Sequence, residues 1–147
     1  MSATQGYKCK MYRNSGTWAL PAWNEIAAVR DVTLNRERSE SDVSTRGGGE
    51  FKQALAGQID ASVEFEMVYN PQDADMDTIE TAFQNNSTIE LAVMNGNINT
   101  AGSEGLHADF VVLSAPRNEP LQEGVTVQYT LKPAYSSNAA EWMTVAS

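Results

Sequence analysis

A mainly β chain with one flanking helix, folded as an antiparallel β-sandwich or partly closed barrel, is predicted by three observations. Residues 59–69 alternate apolar and polar side chains over a full strand length. Further short runs of the same period follow, separated by turn residues. Apolar residues recur at helical spacing in one stretch only, just after a group of aspartates. The 147 residues fit a single domain, and a hydrophobic content of 41% with 20% charged residues is enough to bury a core.

Taken in order, residues 1–16 hold Lys8, Lys10 and Arg13 among few apolar positions, and they are expected to form an arm that orders against a neighbouring molecule. Leu20-Pro21 stops regular structure before Trp23. Over residues 24–34, Ile26, Ala28, Val32 and Leu34 share one face, with Arg30 breaking the row. The β-branched content favours a strand, although Ala27-Ala28 would also suit a helix. Residues 35–57 are polar and charged and contain Gly47, Gly48 and Gly49 in succession, which predicts a long inter-strand loop. Loops longer than an ordinary hairpin connection are often binding elements, and Phe51, Ala54 and Leu55 give this one an apolar patch for docking.

The clearest strand is 59–69, where Ile59, Ala61, Val63, Phe65 and Met67 alternate with Asp60, Ser62, Glu64, Glu66 and Val68. This pattern suits a half-buried strand of an antiparallel sheet. Pro71 marks its exit, and Asp73, Asp75 and Asp77 gather where carboxylates can accept the free N–H groups of a helix start. Met76, Ile79, Ala82 and Phe83 should then cover the sheet, with Asn85 and Asn86 ending the helix. Three more strands are expected: 88–94 with Ile89, Leu91 and Val93 inward; 108–114; and 125–131 with Val125, Val127, Tyr129 and Leu131 on one face. Asn95-Gly96 starts a flexible connection that runs to Gly105. After Pro133, the small and polar tail over residues 134–147 carries Tyr135, Trp142 and Met143 as anchors for a neighbouring subunit.

Charge is unevenly distributed. The net charge of −9 divides into eight Lys/Arg against six Asp/Glu in residues 1–58, and two against thirteen in residues 59–147. Such asymmetry suits contacts between different faces of identical subunits, whereas an acidic body disfavours tight binding of nucleic acid. A membrane span or secretion signal is not expected from the sequence, so the protein is expected to be soluble and made in the cytosol. The single cysteine, Cys9, leaves no intramolecular disulfide and is read as an inert thiol.

Catalytic and metal chemistry find little support. The Asp73, Asp75, Asp77 spacing lacks the glycine and the final glutamate of a calcium loop, since Thr78 and Gln84 stand there. Glu64 and Glu66 lie about 7 Å apart on one strand face, which does not flank a substrate. His107 has no serine placed to complete a nucleophilic arrangement, and ordinary hydrogen bonding is its expected role. One cysteine and one histidine make no zinc pattern, and the glycine run lacks the Lys-Ser/Thr of a phosphate loop. No cofactor, metal or catalytic residue is therefore expected.

The stretch DVTLNRERSESDVSTRGGGEFKQALAGQIDASVEFEMVYNPQDADMDTIETAF, together with TWALPAWNEI, TIELAVMNG and EPLQEGVTVQYTLKPAYSS, resembles the major tail tube proteins of long-tailed bacteriophages over most of the chain. That resemblance implies a structural virion protein of the phage tail, not an enzyme. It further implies the sandwich-like tube fold and hexameric rings stacked into a hollow tube that carries phage DNA into the host without binding it specifically. Assembly in the host cytoplasm, alongside tape measure, tail tip and terminator proteins, is implied too. The family's inter-ring loop corresponds to residues 35–57, so Arg36, Arg38, Arg46 and Lys52 become candidate partners for acidic groups on the adjacent ring. Phe51, Leu55 and Trp142 are the apolar assembly candidates. Two other classes compete: a monomeric β-sandwich that binds carbohydrate through Trp18, Trp23 or Trp142, and a type VI secretion-like tube subunit.

Overall fold

The structure, a computed structural model, describes residue 6 and residues 9–121 and 124–146. Among these residues lie β1 (Lys10–Asn14), β2 (Trp23–Glu25), β3 (Val29–Asp42), β4 (Ala54–Val68) and α1 (Ala74–Asn85). They are followed by β5 (Thr88–Met94), β6 (Glu104–Ser114), β7 (Arg117–Asn118), β8 (Thr126–Pro133) and β9 (Glu141–Thr144). All strand pairs are antiparallel and belong to one sheet, ordered β2-β1-β5-β6-β8-β4-β3, with β7 added on β8 and β9 on β6. The predicted mainly β class with one helix is what the chain adopts. Of the two architectures expected, the sheet curls on itself as a half-barrel, because one core cluster joins residues from β1 at one end of the sheet to β4 near the other.

The inward row of β4 explains the curl. Ala61, Val63, Phe65 and Met67 are buried and meet Val127, Tyr129 and Leu131 of β8 and Leu91 and Val93 of β5. Removing one such side chain from water contributes about 1.5–3 kcal/mol, so this row dominates the sheet's stability. Helix α1 closes the core through Met76, Ile79 and Ala82 and lies on β5 and β6. Asp73 is its N-cap, accepting the Asp75 amide at 2.9 Å, and Asn86 ends it in the left-handed conformation with its amide on the Ala82 carbonyl. The Arg13 Nε donates to Asp75 Oδ1 at 2.8 Å and ties the helix start to β1.

Several expectations change. Within the arm expected over residues 1–16, Lys10–Asn14 is a strand bonded on both sides, with Met11 and Tyr12 buried; residues 1–5, 7 and 8 lie outside the described residues. Residues 24–34 split into β2 and β3, because Ala27-Ala28 turns the chain, and a register shift lies between Val29 and Val32. The loop expected over 35–57 is a paired ribbon out to Asp42 opposite Ala54, so only the tip connects. A strand wetted on both faces needs no apolar row, which is why β3 from Asn35 to Asp42 carries no alternation signal. Ile59 and Phe83, expected inward, are exposed.

The connection over 95–105 packs Ile98 beneath β1, with its amide donating to the Tyr12 hydroxyl at 3.2 Å, and β6 begins already at Glu104. There Gly105 lies so close to the Val93 carbonyl that any Cβ would collide with it. Within the tail expected over 134–147, residues 141–144 are β9, paired with β6.

Candidate assembly surface

The β3–β4 ribbon is the feature that stands off the body. β8 pairs with β4 only from Val63 to Val68, whereas β3 follows β4 back to Ala54. The nine residues from Ala54 to Ser62 therefore extend about 30 Å past the part of the strand that β8 supports. Ser44 organises the tip by accepting the Gln53 amide on its hydroxyl at 2.8 Å and donating its own amide to Asp42 at 2.9 Å. Hydrogen bonds from the Ser44 side chain and backbone hold the exposed Asp42 carboxyl below its ordinary pKa. That ordering is present above the usual aspartate range and is lost as pH falls through the lowered value. A turn at Arg46–Gly48 follows, and Gly49 takes φ 88°, which a side chain would strain.

The predicted assembly residues separate into two sets. Arg36 lies over the Trp142 ring of its own chain, 4.5 Å from the centroid, and joins the ribbon's base to β9. Arg38 is committed within the ribbon, where its Nη1 donates to the Gly57 carbonyl at 2.9 Å. By contrast, Arg46, Lys52, Phe51 and Leu55 project into solvent, Phe51 with 85% of its surface exposed. Arg46 and Lys52 form no ion pair among the described residues. The tip thus exposes an aromatic ring and two cations.

A second cluster ties β9 to β5 and β6. His107 is buried, with Nε2 2.6 Å from Glu90 and Nδ1 2.9 Å from Glu141, so each ring nitrogen faces a carboxylate. Trp18 stacks on the imidazole at 4.0 Å, and Trp23 meets it edge-on at 5.2 Å. Hydrogen bonding is thus the histidine's role, as the sequence predicts. Asp109 instead accepts from Ser136 and Asn138. The carboxylates were missed because cross-strand neighbours leave no spacing in the sequence. Packing on His107 also occupies two of the three tryptophans that a glycan platform would need. His107→Ala is expected to cost about 2–3 kcal/mol, since Glu90 loses a charge-assisted bond inside the fold. Thermal denaturation measures that loss, and hydrogen exchange should show β9 opening first.

Among the described residues, no three His, Cys, Asp or Glu side chains group to hold a metal ion, and no helix is long and apolar enough to cross a membrane. A curled sheet that carries a projecting ribbon with an exposed tip defines a structural building block. The chain belongs to the phage tail tube protein family, which matches residues 11–134. It is therefore a structural component of a phage tail and not an enzyme.

Solved structures share the fold. The tail of an empty gene transfer agent particle, determined by helical refinement with C6 symmetry, superposes with a TM-score of 0.73 at 17% identity, covering 97% of this chain and 100% of that one. The SPP1 tail tube gives 0.71 at 14% identity, covering 99% and 81%. An extracellular contractile injection system, in its extended sheath–tube complex, gives 0.60 at 9% identity, covering 97% and 93%. No curated protein matches the chain.

Proposed function

We propose that the chain forms six-membered rings that stack into a hollow tube, through which phage DNA passes into the host. The projecting ribbon carries this reading, because a body with a contact arm on one end is suited to head-to-tail repetition. Ring closure is supported by the sheet's open edges: β3 ends the sheet with a 14-residue strand, and β2 ends it on the other side. Long unpaired edges invite pairing with another copy, and a closed ring removes them. The gene transfer agent tail with C6 symmetry supports six as the copy number.

The channel wall in this reading is the polar face of β3, β4 and β8, where Glu64 and Glu66 alternate with the buried row and neighbour Gln128 and Thr130. Carboxylates there repel phosphates over about 8 Å at physiological salt, so DNA slides without adhering. Tape measure, tail tip and terminator proteins would meet the tube inside it and at its ends. Negative-stain microscopy of the purified protein at rising concentration tests the proposal: rings and tubes are expected, and a protein solitary at every concentration refutes it.

A further inference from the structure

We propose that the cleft between α1 and the β6–β7 connection receives the ribbon tip of a second copy, one ring further along; this rests on the stacking proposed above. Strand direction sets the geometry. β4 starts at the tip with Ala54 and ends at Val68, and the cleft opens just past that end, bordered by Tyr69 and Ala115. A 15-residue strand spans about 45–50 Å, so the tip cannot reach the cleft of its own chain. Tip and receptor at opposite ends make a heterologous contact, and one that translates along an axis without closing generates an open stack.

The chemistry of the two ends is complementary. The cleft holds about 420 Å³, with Met76 and Ala115 on its apolar lining and Asp77, Glu80 and Gln84 beside them on α1. Glu80 is held in place by the Tyr129 hydroxyl, which donates to it at 2.7 Å. Burial, reinforced by that carboxylate, pushes the Tyr129 pKa far up and keeps the phenol a donor. Arg117, the one cation at the rim, is engaged by Glu119 at 2.6 Å and by the Tyr69 ring. The incoming tip offers Phe51 for the apolar lining and Arg46 and Lys52 for the carboxylates; of its acids, Asp42 is engaged by Ser44 and Glu50 is exposed. An aromatic anchor ringed by opposite charges is the composition of a contact that both holds and fixes register.

The test places Glu50→Cys and Gln84→Cys together in a Cys9→Ser background, so that a disulfide can form only between the introduced thiols. Mild oxidation of tubes should give a ladder of covalent multimers on a non-reducing gel, while the dilute monomer stays single. In parallel, Asp77→Lys, at an exposed position of the first helical turn, should melt within a few degrees of the parent and lower tube yield at least tenfold, and adding Lys52→Glu should restore the yield. Tubes that show no ladder and tolerate Asp77→Lys overturn the cleft while leaving ring stacking intact. A parent chain that makes no tubes overturns both.

Discussion

Replacing residues 37–60 with Asn-Gly is expected to give a folded monomer that has lost all capacity to form tubes. The splice leaves Arg36 opposite Ala61, a pair that a two-residue type I′ turn can join. Nothing removed belongs to the core, whose β4 members begin at Ala61. Body strands are held instead by β4 against β8 from Val63 onward and by β5 against β6. A melting temperature close to the parent's should therefore accompany a complete absence of tubes by microscopy. Exposed ion pairs contribute only about 0–1 kcal/mol each, so the loss is expected from the tip's buried anchor and its sixfold repetition more than from its charges. Tubes of normal length from this variant would remove the ribbon from the mechanism.

Val63→Asp is expected to unfold the subunit at ordinary temperature. Val63 is 0% exposed, with Leu34 opposite it on β3 and Leu131 on β8. A carboxylate there has no partner, and burying a charged or newly protonated group costs several kcal/mol, comparable with the total of about 5–15 kcal/mol for a typical domain. The informative comparison is Ile59→Asp, two pleats along the same face of the same strand. Ile59 is 56% exposed, so that variant should melt within a few degrees of the parent. Circular dichroism melts of both variants decide the point, and equal losses would contradict the placement of the body's edge between these residues.

That comparison also marks where sequence stops informing. Alternation identifies an apolar face of β4 from Ile59 to Met67 but says nothing of which stretch has a third strand to cover it. The same limit turned a ribbon into an expected loop, since β3 past Leu34 carries polar groups on both faces and periodicity has nothing to detect there. Phe83 shows it for the helix: spacing places it near the apolar stripe, yet Met76, Ile79 and Ala82 are the buried residues of α1 and Phe83 is exposed. Among the assembly candidates, the tip set of Arg46, Phe51, Lys52 and Leu55 is exposed, as its place in a polar, glycine-rich stretch suggests. Arg36 and Trp142 were legible singly, but not as partners within one chain.

By itself, then, the sequence determined the antiparallel β class, the single capped helix, the inward rows of β4, β5 and β8, and the kinship with tail tube proteins, because each is written in local period, capping chemistry or family pattern. Only the tertiary structure decided that a charged segment stands out as a ribbon, that His107 joins β5, β6 and β9, and that an acidic cleft lies at the end opposite the tip. Those features depend on which strands become neighbours, and residues brought together from 17 to 34 positions apart, as Glu90 and Glu141 are around His107, leave no periodic trace in the chain.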